Sequence, residues 1–298
     1  MNRAVTSLLL VLIIQCGLVA TVYWPNTTED PSAMQPMLPV ERASISEILV
    51  GDEFDNETTL LKVGERWSLP ELENLPADTD MVERLLDAIT ADRDSWPVAD
   101  SVAARQRFRV ASYHYRRRIS LLQDKDLLAT LYLGTSPGYR KIYARNEAQS
   151  AIYSIVFSAH DAPGNSGAWL DRKLLQIRAP LSITADTYSL RREGESWRSG
   201  LGNVPDEREL QALLSTLRSL QIDGLASEDA QRDLASAEAD LVLNISSLAG
   251  DVTLELFHQG GKYFIHSNEY PLFFKLGAYD YDRLLSIDFS LISGESGG

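Results

Sequence analysis

Gly64-Glu65-Arg66-Trp67, followed by Pro76 and by Leu85-Leu86 in a helical pattern, returns as Gly194-Glu195-Ser196-Trp197, then Pro205, then Leu213-Leu214. Tryptophan is scarce in this chain, five in 298 residues, so a second Gly-Glu-x-Trp with the same followers in the same order marks an internal duplication. That sets the architecture before any local reading. Around each tetrapeptide the pattern reads strand, turn, strand: Thr58 to Val63 runs into Gly64-Glu65, where glycine takes positive φ cheaply, and leaves through Trp67 as a core anchor.

Working outward, Met81, Val82, Leu85, Leu86 and Ile89 recur at helical spacing, with Asp78 and Asp80 in the first turn where the helix dipole favours acid. The second copy repeats this with Asp206, Glu207 and Glu209 ahead of Leu210, Leu213, Leu214, Leu217 and Leu220. A second, shorter helix is expected at Val102 to Phe108 and at Glu228 to Ala237. Strands then match in order: Thr130-Leu131-x-Leu133 with Thr253-Leu254-x-Leu256, Ile142-Tyr143 with Tyr263-Phe264, and Ile152-Tyr153-x-Ile155 with Phe273-Phe274-x-Leu276. The offset between copies shrinks along the chain, as small deletions in the second would produce. The expected fold is α+β: an N-terminal transmembrane helix followed by two tandem similar modules, each an antiparallel sheet plus an amphipathic helix. Its parts are an anchor (1–25), a Pro-rich tether (26–40), a first module (41–176), a second module (177–290) and a flexible tail (291–298).

The anchor is read from residues 4–24, which carry no charge and at about 1.5 Å per residue reach across the roughly 30 Å hydrocarbon core. A cleaved signal peptide would have a shorter apolar run ending in small residues, whereas this one ends in Tyr23-Trp24, which prefer the membrane interface. Lipidation at Cys16 would need a small residue where Gln15 stands. Arg3 before the span and Glu29-Asp30 after it put the N-terminus in the cytoplasm and the bulk outside it. With four of the twelve prolines, Pro25 to Pro39 reads as a tether that cannot bury a core.

A formal charge of −14 argues against a nucleic-acid partner. The single cysteine excludes an internal disulfide framework and any cysteine-based zinc site. No cofactor-binding motif is present: no Walker Gly-x-x-x-x-Gly-Lys, no dinucleotide-binding glycine triplet, no Ser-x-x-Lys and no His-Glu-x-x-His.

Glu65-x-Trp67 with its following Pro and Leu-Leu helix, Tyr143-Ala144-Arg145, Ala151-Ile152-Tyr153 and Trp169-Leu170-Asp171-Arg172-x-Leu174-Leu175 together resemble the bacterial domain-of-unknown-function 4340 family. The second copy has a fainter form of the last motif in Tyr281-Asp282-Arg283-Leu284-Leu285. The resemblance implies a protein held by one N-terminal helix and encoded beside components of an ABC-type transport system of the gliding-motility kind. It carries over no catalytic residue. The function this implies is a non-catalytic accessory or scaffold of an envelope transport complex, on the bacterial inner membrane through residues 4–24, with an ABC transporter permease or associated subunit as partner. The alternative is a periplasmic enzyme or ligand-binding module acting on a glycan or lipid.

Candidate sites are few. Arg105, Arg107, Arg109, Arg116, Arg117 and Arg118 cluster around Tyr113-His114-Tyr115 in an otherwise acidic chain, and arginine makes bidentate contacts with phosphate and carboxylate. These six are the candidate partner contact; the competing reading is a solvated strand edge. If Gly260-Gly261 closes a tight hairpin, His258 faces Tyr263 and His266 faces Glu255, on opposite sides of the sheet, so the two cannot share a metal. His160, Asp161 and Ser166 lie close in sequence, but without a Gly-x-Ser-x-Gly elbow they do not read as a triad.

Overall fold

The structure, a computed structural model, describes residues 15, 37–90 and 96–294. Apart from residue 15, the span expected at 4–24 lies outside the described residues, as do the tether up to residue 36 and the last four residues. Among those described, no helix is long and apolar enough to cross a bilayer. The chain divides into two compact units, the larger of which is formed by Met37–Asp92 and Pro97–Gly298.

That larger unit is α+β, with two eight-stranded antiparallel sheets. In the first copy β1 (Glu47–Asp52), β2 (Glu57–Val63), β3 (Arg66–Leu69) and the short β4 (Leu75–Pro76) lead into α1 (Thr79–Thr90) and α2 (Val102–Arg107). A small hairpin, β5 (Val110–Ala111) and β6 (His114–Tyr115), precedes a second meander of β7 (Arg117–Gln123), β8 (Asp126–Leu133), β9 (Ile142–Asn146) and β10 (Tyr153–Ile155). The second copy runs β11 (Pro180–Thr184), β12 (Ser189–Glu193), β13 (Ser196–Ser199), α3 (Glu207–Ser219), β14 (Ile222–Leu225) and α4 (Glu228–Leu234). Then come β15 (Leu241–Ser247), β16 (Gly250–Gln259), β17 (Lys262–Ser267) and β18 (Phe274–Leu276), with α5 (Ala278–Leu285) and α6 (Phe289–Ile292) closing the described chain.

Both sheets follow one connectivity. The first is ordered β10-β9-β8-β7-β1-β2-β3-β4 and the second β13-β12-β11-β15-β16-β17-β18-β14, so in each the two meanders meet through their first strands, β1 with β7 and β11 with β15. The strand β14 beside β18 also has its counterpart. Val98 N donates to Ile152 O at 2.7 Å and Ile152 N to Ala99 O at 2.8 Å, which puts the segment after α1 at the same edge.

Local chemistry explains why each copy folds alike. The register Val63↔Arg66 and Glu193↔Ser196 leaves two turn residues, Gly-Glu, in each case. Gly64 and Gly194 have φ of +63° and +64° while the following Glu does not, the pattern of a type II′ hairpin. The long helices bury one stripe, Val82, Leu85, Leu86 and Ile89 in α1 and Leu210, Leu213 and Leu217 in α3. Asp206 caps α3 by accepting from the backbone of Arg208 and Glu209. The short helices are capped at matching serines, Ser101 by way of Ala104 N and Ser227 by way of Ala230 N. They end at Arg107 and Leu234; the second is three residues shorter than the expected Glu228 to Ala237, because after Ala235 the bonds tighten to i→i−3, Ser236 N to Asp233 O and Ala237 N to Leu234 O, and the chain turns.

The core faces of both sheets contribute to one continuous apolar cluster, from Ile48, Leu60, Ile119 and Leu131 to Ile183, Leu190, Leu254 and Ile265. On each outer face the short helix covers a separate small cluster: Val110, Tyr132 and Ile152 with Ala104 of α2, and Phe257 and Phe264 with Leu234 of α4. Between copies, Trp169 is fully buried and donates from Nε1 to Pro163 O at 2.8 Å. The next residues are hydrogen-bonded at both ends. Asp78 N donates to Trp169 O and Asp171 N to Pro76 O, next to α1; Ile222 N donates to Arg172 O and Ile177 N to Leu217 O, in the second copy.

Candidate functional site

The six arginines converge on one end of the first sheet, but their environments divide them. Arg118 and Arg117 open β7, which lies between β8 and β1, so they stand on an interior strand and not on the expected edge. Arg118 Nη2 lies 2.6 Å from Glu57 Oε2 and its guanidinium sits 5.9 Å from the Tyr115 ring. The hydrogen bond to Glu57 raises its pKa further, burial opposing. Arg117 Nε donates to Ala162 O at 2.5 Å and its Nη1 to Arg116 O at 2.7 Å. Arg109, in the left-handed region at φ +57°, pairs with Glu53 at 3.1 Å and donates from Nε to His114 Nε2 at 2.8 Å.

Arg105 on α2 is half-buried, with Nε enclosed and without a protein partner. Arg107 and Arg116 are exposed. Arg107 lies 5.7 Å from the Phe108 ring, and neither it nor Arg116 is in an ion pair among the described residues. Of the cluster, then, four members are held by the protein's own groups or enclosed, and two face outward.

Asp52 at the end of β1 explains how this end of the sheet is held. Burial would raise its pKa, yet the Asn56 side chain, the amides of Phe54 and Asn56, and the charge of Arg117 together hold it below the usual carboxylate value. Gly164 packs against it, since a Cβ there would lie 3.0 Å from the Asp52 side chain.

A seventh arginine, in the Tyr143-Ala144-Arg145 motif, is buried at 4 % exposure. Its Nε donates to Val110 O at 2.8 Å, and its Nη1 reaches Asn146 O, Glu147 O and Gln149 O at 3.1 to 3.2 Å. The guanidinium stands 5.2 Å from the ring of Tyr132, its cross-strand neighbour. Burial, then the charge of Arg105, lowers the Arg145 pKa. Burial pushes Tyr132 up to about 12, helped by its 3.0 Å hydrogen bond to Glu147. This arginine ties β5 to the sheet and is structural.

The copies part company after β8. Between the equivalent pairs Leu133↔Ala144 and Leu256↔Ile265 the first copy has residues 134–143 and the second 257–264, two fewer. The second continues as a regular ladder to Gln259↔Lys262 and turns at Gly260 and Gly261, with φ of +58° and +72°, as a tight hairpin. In the first copy the ladder breaks at Gly134, where a Cβ would lie 1.9 Å from Phe108 O, and residues 134–141 form a loop packed on the end of α2. Ser136 Oγ donates to Gly138 O at 2.6 Å and accepts from Gly138 N, shaping its tip.

This loop brings Arg140 and Lys141 beside Arg116 and His160 around a cavity of about 110 Å³ that Ser136 and Ser158 also line. The sequence pattern did not single out Arg140 and Lys141. The two-residue change in offset between copies was the available signal, since it falls at this loop.

The histidines of the second copy stand as expected: Glu255↔His266 and His258↔Tyr263 are cross-strand pairs on opposite faces. His266 Nδ1 lies 2.8 Å from Glu255 Oε2, and His258 stacks on Tyr263 at 5.0 Å. His160 and Asp161 are both exposed, and Ser166 Oγ is engaged by Thr58 Oγ1 at 3.1 Å and Glu71 at 3.4 Å, so the three do not assemble. Among the described residues no group of three or more His, Cys, Asp and Glu is placed to hold a metal.

Comparison with known families resolves the kinship. A family model described as "Domain of unknown function (DUF4340)" matches residues 67–240, more than half of the chain. The chain belongs to the DUF4340 family. No curated protein and no solved structure matches it. The DUF4340 match starts at Trp67 in β3 and ends at Asp240 just before β15, so it takes in the arginine cluster, the 134–141 loop, the linker around Trp169 and the hairpin and helix of the second copy. Within it, Trp67, Arg145 and Trp169 are buried, which makes those parts of the expected motif structural.

Proposed function

We propose that this chain is a non-catalytic accessory or scaffold protein of a bacterial envelope transport complex of the ABC type. Residues 4–24 hold it in the inner membrane with the N-terminus in the cytoplasm, and the duplicated α+β unit stands in the periplasm. The observation that carries the reading is the asymmetry of the duplication. Elements that only the first copy has, the β5–β6 hairpin and the 134–141 loop, flank the outward-facing cations Arg107, Arg116, Arg140 and Lys141, in a chain whose net charge is −14. A cationic face set in an acidic protein suits an acidic partner surface, because complementary charge steers docking and fixes register.

Co-purification from a bacterial host tests this. Arg107→Glu with Arg116→Glu reverses the two outward-facing arginines and leaves the ion pairs of Arg109 and Arg118 intact; association with the transporter subunits should fall at least about tenfold and wild-type association should weaken with salt. Association that survives the double reversal removes this face from the reading. A reporter fused after Gly298 that works only in the cytoplasm would overturn the orientation.

A further inference from the structure

The cavity between the start of β7, the 134–141 loop and the turn after β10 gathers four nitrogen-bearing side chains and no carboxylate. Arg116 immediately precedes β7, Arg140 and Lys141 come from the loop, and His160 from the one-turn helix Ala159–Asp161. Asp161 is exposed and does not line it. None of the three permanent cations is in an ion pair among the described residues. Like charges around one small space repel each other, and in so acidic a protein carboxylates to offset them are plentiful elsewhere. Their absence here selects for an anion from outside.

We propose that this cavity binds one phosphomonoester or phosphate group. Its volume, about 110 Å³, is roughly the share of four waters and is enough for one tetrahedral oxyanion. A phosphomonoester carries about −1.5 to −2 at neutral pH and presents three oxygens, matching three permanent cations that arrive from two chain segments. A carboxylate, with one charge and two oxygens, would leave most of them uncompensated. Arginine forks onto phosphate oxygens in a bidentate way. Ser158 Oγ already accepts from His160 N at 3.3 Å, so its hydroxyl proton is left to donate into the site. The inference shares Arg116, Arg140 and Lys141 with the partner-facing reading but does not rest on it: binding is measured on the purified chain alone, and its failure leaves the co-purification result untouched.

The test uses the full chain, with inorganic phosphate titrated against sodium chloride at matched ionic strength. Phosphate at ten times its Kd should raise the Tm by about 3 °C, and above Kd the shift should grow with the logarithm of phosphate concentration. Arg116→Ser with Arg140→Ser should abolish the shift, while Arg178→Ser, exposed and outside the cavity, should keep it. Arg140→Ser alone, on the exposed loop, weakens phosphate binding at least about tenfold should the double variant fold poorly. A second arm separates a lipid source from a free one: vesicles of phosphatidylcholine with phosphatidic acid, a monoester, against vesicles with phosphatidylglycerol, a diester. Preference for the monoester that is lost in the double variant assigns the phosphate to a headgroup. No response to phosphate or to phosphatidic acid, or an equal response in the double variant, overturns the proposal.

Discussion

At one pair of facing positions the two copies hold different chemistry. Tyr132 and Arg145, paired across β8 and β9, become Glu255 and His266, paired across β16 and β17. In the first copy the pair is buried and the arginine satisfies four carbonyls; in the second it is a part-exposed carboxylate and imidazole at 2.8 Å. The difference comes from the cover over each pair. The β5–β6 hairpin, present only in the first copy, covers that part of the sheet and supplies Val110 O for Arg145 to bind. Both copies keep the ladder; where the hairpin covers it the pair is a buried clamp, and where no hairpin lies the pair is part-exposed.

Three pairs of substitutions probe how far the copies have diverged. The largest contrast is expected at the repeated tryptophan. Trp67 is 2 % exposed, so Trp67→Ala should cost about 3–5 kcal/mol, whereas half-buried Trp197→Ala should cost roughly 1.5 kcal/mol. Urea denaturation of the two variants reads the gap directly, and equal losses would mean the copies are packed alike. Next comes the facing pair: Arg145→Met leaves four carbonyls without their donor, those of Val110 and Asn146 buried and those of Glu147 and Gln149 part-buried, and should cost about 3 kcal/mol, against under about 1 kcal/mol for His266→Ala. If His266→Ala proved as costly, its pair with Glu255 would be structural in the same sense. The smallest effect should be shared. A Cβ at Gly64 or Gly194 meets nothing within 4 Å, so alanine at either place costs only its backbone strain, about 1 kcal/mol in both. A clear inequality there would break the symmetry of the turns.

Much of this fold was legible in the sequence, because the features that repeat are those with strong local signals. The Gly-Glu turn needs positive φ, the Leu stripe needs a helix, and both appear in both copies at matching places. The hairpin at Gly260-Gly261 and the opposed faces of His258 and His266 followed from strand geometry alone. What was not legible depends on distant parts of the chain. Six arginines in one stretch looked alike, yet Glu57, Glu53 and Ala162 engage Arg118, Arg109 and Arg117 from 45 to 61 residues away in sequence. Arg140 and Lys141 sit in a loop with no pattern, and only folding puts them beside Arg116 and His160. The polar run 160–167 gave no hint that Trp169, just after it, would be enclosed.

The linker around Trp169 has a mechanical consequence. Repeated units joined by slack chain move independently, and the usual expectation for neighbouring modules is relative motion unless their contact is large and apolar. Here Asp78 and Pro76 hold one end, Ile222 and Leu217 bind the other, and one apolar cluster runs through both copies. A pull or push applied to the arginine face of the first copy would therefore be carried into the second as displacement, with no joint between them to absorb it.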